Sequence, residues 1–160
     1  MAGLMKPDED SANVTFPPPF IYLGMLLLGL LADRLLNLVW PLAPELRIAA
    51  AAVFVPLGLA VGLPAQRLFT RAGTDVKPWK TSSAIVRHGI YRFTRNPMYL
   101  GMALLYLGLA LALASVSALV LFPVLLAVIQ TQVIAREERY LEAKFGEGYR
   151  SYKAAVRRWI

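Results

Sequence analysis

The chain of 160 residues has no cysteine and a single histidine, His88. Without thiols it can form no disulfide, thiolate metal site or cysteine nucleophile, and one imidazole is too few for a histidine-based metal centre, so no metal is expected. Charged residues make up only 17% of the chain, against about 25% in soluble domains. No segment recurs at a period of roughly 20 to 50 residues, which excludes a solenoid or propeller. A secretory signal is also missing: the start is not basic and no small-residue cleavage site follows the first apolar run, which is therefore expected to remain in the mature protein.

What is present is oil. Hydrophobic residues are 58% of the chain and the mean hydropathy is +0.54, so the expected solvent is lipid. The net charge is +7. No soluble fold presents it as a basic stripe, so nucleic acid is not an expected partner; anionic headgroups or an anionic small molecule are.

Residues 1–19, polar and ending in three prolines, are expected to be a disordered tail, and residues 20–69 two transmembrane helices. The first span is Phe20 to Trp40, long enough at ~1.5 Å per residue to cross ~30 Å of hydrocarbon. Asp33 and Asn37, four apart near its end, read as a polar pair turned toward the bundle or the interface. Leu46 to Leu63 is the second span, and its Gly58 and Gly62 form a small-xxx-small step for close helix approach. Met98 to Ala114 and Ala118 to Ile134 are the third and fourth, joined through Ser-Val-Ser at 115–117 into an antiparallel hairpin. Seven basic residues lie between Arg67 and Arg95 and seven between Arg136 and Arg158, one side of a four-span topology. By the positive-inside rule that side and both termini are cytoplasmic, and a bacterial inner membrane is the expected location.

Two polar stretches remain, the loop from Thr70 to Asn96 and the tail from Ala135 to Ile160. The first closes with RHGIYRFTRNPMYLG at 87–101, a cluster that a bare membrane anchor does not need. Asn96 followed by Pro97 predicts an N-cap and first turn, and a helix start with Arg92 and Arg95 beside it suits a carboxylate or phosphate. In the tail, helical spacing puts Ile134, Glu138, Leu141 and Phe145 on one stripe and Val133, Glu137, Tyr140 and Lys144 on the next, with Gly146 as a stop.

Taken together, Gly89-x-Tyr91, Arg95-x-Pro97-x-Tyr99-x-Gly101, Glu137-Glu138-x-x-Leu141, Phe145-Gly146 and Tyr149-x-x-Tyr152 resemble the integral-membrane methyltransferases. That family includes isoprenylcysteine carboxyl methyltransferases and phospholipid N-methyltransferases, and the resemblance covers about residues 72–158. It implies an all-α, multi-pass transmembrane bundle of about four spans with a cytoplasmic cofactor pocket, residues 70–160 forming the cofactor-binding half. It further implies S-adenosylmethionine as cofactor and a lipophilic small molecule or lipid, entering from the bilayer, as methyl acceptor. Carried over by motif, the cofactor residues are Ser83, Ala84, Ile85, Val86, Tyr91, Asn96, Pro97, Met98, Tyr99 and Glu137; Glu138, Arg95 and Arg136 are the catalytic candidates.

Methyl transfer from a sulfonium is an in-line displacement that asks mainly for alignment in a dry pocket. An amine or hydroxyl acceptor must also lose a proton, for which Glu138, Tyr99 and His88 are all candidates. Two positions depart from the family pattern. Asn96 stands where many members have histidine, and Val133 where the prenylcysteine branch has an arginine for the substrate carboxylate; Arg136 is nearest but on another helix face. The competing readings are an NADPH-dependent membrane reductase of the sterol reductase type, whose members are usually longer, and a non-enzymatic four-helix transporter subunit or assembly factor, of which a transporter would place ionisable groups deeper in its spans.

The topology is checked by reporter fusions. Those at Ala43 and Ser117 are expected to read external and one at Lys80 internal; an external reading at Lys80 overturns the four-span arrangement.

Overall fold

A computed structural model describes residues 8–14, 16–41, 43–75 and 77–160. It is a helical bundle with no strand among the described residues. Helix α1 spans Pro18–Leu36, α2 Pro44–Arg71, α3 Pro97–Ala112 and α4 Val116–Val128. A π-helical turn at Ile129–Ile134 carries α4 without a break into α5, Ala135–Phe145, and α6 follows at Glu147–Ala155. Three helices are long and apolar enough to cross a membrane: α1, α2 and the continuous 30-residue helix Val116–Phe145. Their outward faces carry large apolar side chains, among them Leu27, Leu31, Val53, Leu63, Val120 and Val124, as an integral membrane protein requires of its lipid-facing surface. Helix α3, at 16 residues about 24 Å long, is shorter than a full crossing and packs along α2.

The boundaries have local causes. Helix α1 stops at Leu36, four residues before the expected Trp40, because Asn37 turns left-handed (φ 51°) and closes the helix through its N–H to the Asp33 carbonyl. Asp33 faces the bundle, where its carboxylate accepts the Ser115 hydroxyl and the Ser117 N–H (2.9 Å). Ser115 in turn accepts from the Ala118 N–H at 3.1 Å and so starts α4. The second span, expected to end at Leu63, continues instead through Pro64 to Arg71. At the other end of the chain Gly146 does end α5, with φ +54°.

The expectation of a disordered tail fails for residues 8–14. Ala12 and Val14 are buried in the main core, Asp8 pairs with Lys80 at 2.9 Å and holds Thr81, and Asp10 pairs with Lys144. The acidic side chains that read as a solvated tail instead meet the lysines at the bundle's end. Residues 1–7 and Thr15, also assigned to that tail, lie outside the described residues.

Two seams of small residues hold the helices together. A Cβ added at Gly58 would lie 2.7 Å from the Gly101 carbonyl oxygen, and one added at Gly101 would lie 2.8 Å from that of Gly58. On the other side of the bundle, Gly29 of α1 sits directly on the Ala118 backbone of α4. Buried tyrosines lock these layers by donating to main-chain carbonyls, Tyr22 to Tyr99 at 3.0 Å and Tyr106 to Ala118 at 2.8 Å. Arg47 closes the far end by donating to the last carbonyls of α3, at Leu111 and Ala112.

Forcing side chains into the α2–α3 seam tests it. Gly58→Val and Gly101→Val should each destabilise the detergent-solubilised protein by about 1–3 kcal/mol. Gly24→Val, where a Cβ meets nothing within 4 Å, is the control and should melt close to the parent protein.

Candidate active site

The end of the bundle opposite Asp33 holds a cleft. Its walls are the extended segment at 81–87, the 3-10 turn Gly89–Arg92, the first turn of α3, and helices α5 and α6. Ala84, Ile85, Val86, Tyr91, Arg95, Asn96, Pro97, Met98, Tyr99, Glu137 and Glu138 all line it. Two named residues do not. Ser83 is exposed, its hydroxyl donating to the Gly73 carbonyl at 2.9 Å and its N–H to Thr74 at 3.1 Å, so it supports the loop from behind. Arg136 points to a different face, as its helical position suggested, and donates to the Asn13 carbonyl and to Gln132. His88 and Arg92 are exposed and outside the cleft.

The polar groups of the cleft fall into two sets. In the first, the Tyr99 hydroxyl donates to Glu137 at 2.7 Å, joining the start of α3 to α5. In the second, Glu138 stands between two guanidiniums. Arg158 takes both carboxylate oxygens, Nε at 3.0 Å and Nη2 at 2.6 Å, while Arg95 reaches one of them through Nη2 at 3.1 Å. The side chains of Arg95 and Glu138 are 8% and 6% exposed, so this is a buried ion pair. The remaining Arg95 nitrogens, Nε and Nη1, are buried with no partner, as is the Tyr91 hydroxyl. Buried donors without a partner are rare in folded proteins, and these three atoms in one cleft make it a candidate for binding an acceptor group.

Asn96 precedes α3 but does not cap it with its side chain. Its Nδ2 donates instead to the Arg158 carbonyl at 2.9 Å, and its own N–H is bound by Thr94 at 3.2 Å. Pro97 takes the first helical position, as expected.

Aromatic hydroxyls complete the wall. Tyr152 donates to the Tyr91 carbonyl at 2.7 Å, and Phe69 packs against the Tyr91 ring at 5.3 Å. Burial pushes the Tyr152 phenol up to about 12 and raises Tyr91 and Tyr149 as well, so all three stay protonated at neutral pH. They are donors and stacking faces rather than bases. Tyr149 and Tyr152 were visible as a motif but carried no site role; Arg158 carried no signal beyond a basic pair near the chain end.

A second cavity meets the cleft at Met98 and Tyr99. It is an apolar groove along α2 and α3, floored by Gly58, Gly62 and Gly101 and walled by Leu59, Leu63, Met102 and Leu105. Lys77, Pro78 and Trp79 stand at the same end, and the indole Nε1 of Trp79 is buried without a partner.

A family model for phospholipid methyltransferases matches residues 46–148. The chain belongs to that family. The match takes in nearly all of α2 and its glycine seam, which lie ahead of the 72–158 stretch that carries the motifs, and it ends before Tyr149. Among individual relatives, a protein of Haemophilus influenzae described only as uncharacterized is 46% identical over 63 residues, the whole of that protein and 39% of this chain. The protein-S-isoprenylcysteine O-methyltransferase of Schizosaccharomyces pombe is 35% identical over 72 residues, 45% of this chain but 30% of that enzyme. No solved structure matches the chain. The protein is thus a membrane methyltransferase by family, and its cleft lies where the matched motifs converge.

Glu138 should be essential to the fold at this end. Its replacement by alanine leaves Arg95 buried and unpaired and should cost about 3–5 kcal/mol in denaturant unfolding, whereas Lys153→Ala, which breaks an exposed pair with Glu142, should change little.

Proposed function

We propose that the protein transfers a methyl group from S-adenosylmethionine to a lipophilic acceptor that reaches the cleft sideways from the bilayer. The observation that carries this reading is the junction at Tyr99: a cleft with unmet buried donors on one side, an apolar groove on the other.

The residues present suit the cofactor. Arg95, with two unpartnered nitrogens, and the Tyr91 hydroxyl are matched to a carboxylate. Glu137 offers its carboxylate to ribose hydroxyls or an ammonium, and the tyrosines and Phe69 offer flat apolar faces. When bound, the cofactor supplies an electrophilic methyl on a sulfonium. The chain's own part is to orient the two partners and exclude water.

The apolar groove suits a single lipid tail lying between α2 and α3, with its head at Tyr99. Of the three groups considered as proton acceptors, Glu138 is held by two guanidiniums and His88 lies outside the cleft. The Tyr99–Glu137 pair stands at the junction and is the acceptor favoured here. Val133 is fully buried in the bundle core, and no arginine lies there for a terminal carboxylate. Amine, hydroxyl or other uncharged heads are therefore favoured over prenylcysteine. The distribution of basic residues supports a cytoplasmic cleft.

The test is methyl transfer from labelled S-adenosylmethionine to a panel of aminophospholipids, isoprenoid and phenolic lipids and prenylcysteines in micelles. Transfer to an amine- or hydroxyl-bearing lipid is expected, and Glu137→Ala should lower cofactor affinity by about 1–3 kcal/mol with the fold intact. Failure to bind the cofactor overturns the proposal; efficient turnover of prenylcysteine overturns the acceptor preference alone.

A further inference from the structure

The last five residues, Val156 to Ile160, fold back behind the cleft and lie beyond the segment shared with the family model. Their main chain is fixed at three points. The Arg95 N–H donates to the Arg157 carbonyl at 3.0 Å, and the Thr94 hydroxyl and Asn96 amide both donate to the Arg158 carbonyl. Trp159 anchors the end by donating to Gln130 at 3.0 Å, within the π-helical turn. The segment therefore delivers the Arg158 guanidinium to one place, the Glu138 carboxylate.

The charges there do not balance. One carboxylate faces two guanidiniums, and Arg158 holds it by a two-point fork while Arg95 touches it with one nitrogen. The other nearby carboxylate, Glu137, is bonded to Tyr99 rather than to either arginine. Without Arg158, Glu138 would have Arg95 as its only cation, and the same fork geometry would draw both Arg95 terminal nitrogens onto it.

We propose that Arg158 is a positioning residue: by occupying Glu138 it leaves Arg95 free to receive an anionic group in the cleft. Resting on the cofactor assignment above, that group is the carboxylate at the amino-acid end of the cofactor. Arg158 acts from the outside. Its side chain is 35% exposed, so its loss opens Glu138 to water more than it empties the core.

The test compares two probes by calorimetry on the full-length protein in detergent micelles: S-adenosylhomocysteine, which carries the carboxylate, and 5′-methylthioadenosine, which lacks the amino-acid end. Arg158→Gln is expected to weaken S-adenosylhomocysteine by about tenfold or more and to leave 5′-methylthioadenosine nearly unchanged. Arg158→Lys, which keeps the charge and loses the fork, should fall between. In the double variant Glu138→Gln with Arg158→Gln the amide oxygen still accepts from Arg95 but no carboxylate remains to claim it, and S-adenosylhomocysteine affinity, measured below the variant's own unfolding midpoint, should recover at least about threefold over Arg158→Gln. A purely structural role predicts the opposite: both probes fall together and the second substitution does not restore binding. Either result overturns the inference, as does parent-like affinity in Arg158→Gln. Should the parent protein bind neither probe, the cofactor assignment fails first and this role with it.

Discussion

Hydrocarbon offers no hydrogen bonds, and that constraint sorts every polar group this chain carries. Those in the helices are met by other parts of the same chain, at the two ends of the bundle. At one end Asp33 accepts from Ser115 and Ser117 and fixes the turn into α4. Between the ends, the tyrosine hydroxyls reach main-chain carbonyls, so the middle of the bundle holds only small and apolar contacts. At the opposite end the compensation is incomplete: Arg95 and Tyr91 keep buried donors with nothing to bind. The indole N–H groups of Trp40 and Trp79 are also buried and unmet, but among the described residues only the cleft brings a guanidinium and a phenol with open donors together, which makes it the candidate ligand site.

The glycine seam and the cleft depend on each other. Because Gly58 and Gly62 let α3 approach α2 at Gly101, the first turn of α3 lies against the segment that carries Tyr91. The same missing side chains leave the groove beside Tyr99. One set of small residues thus brings α3 into place and leaves the apolar groove that meets the cleft at Tyr99. Separating α2 from α3 would damage packing, groove and cleft at once.

Much of this was legible in the sequence. Hydropathy located all four apolar helices, the Gly58–Gly62 step marked a close seam, and the paired motifs at 83–99 and 137–138 identified most of the cleft wall. What was not legible has physical causes. Polarity and proline made residues 8–14 look unstructured, yet Asp8 and Asp10 find lysines that lie some 70 and 130 positions away in sequence, a pairing that no local pattern announces. A helical wheel drawn at 3.6 residues per turn runs straight through 129–134, whereas the π-helical turn shifts the face of everything after it. Arg136, the arginine nearest the Val133 position, faces away; Arg158, twenty positions after Glu138, arrives by a chain reversal after Gly146.

Position 96 shows how a structural role can hide inside a motif. The asparagine there departs from the histidine common in the family, and in a mechanism built on imidazole chemistry that change would be severe. In the structure the side chain is buried and directs its amide N–H to the Arg158 carbonyl, with no cap bond to α3. The job done at this position is to hold the returning C-terminal segment, for which one well-placed N–H donor suffices, and either an amide or an imidazole can provide it. The departure is then compatible with an intact site, because methyl transfer by in-line displacement asks the protein for alignment and dryness more than for a particular acid or base. Alignment here depends on the segment that Asn96 holds, since that segment carries the guanidinium that keeps Glu138 from claiming Arg95.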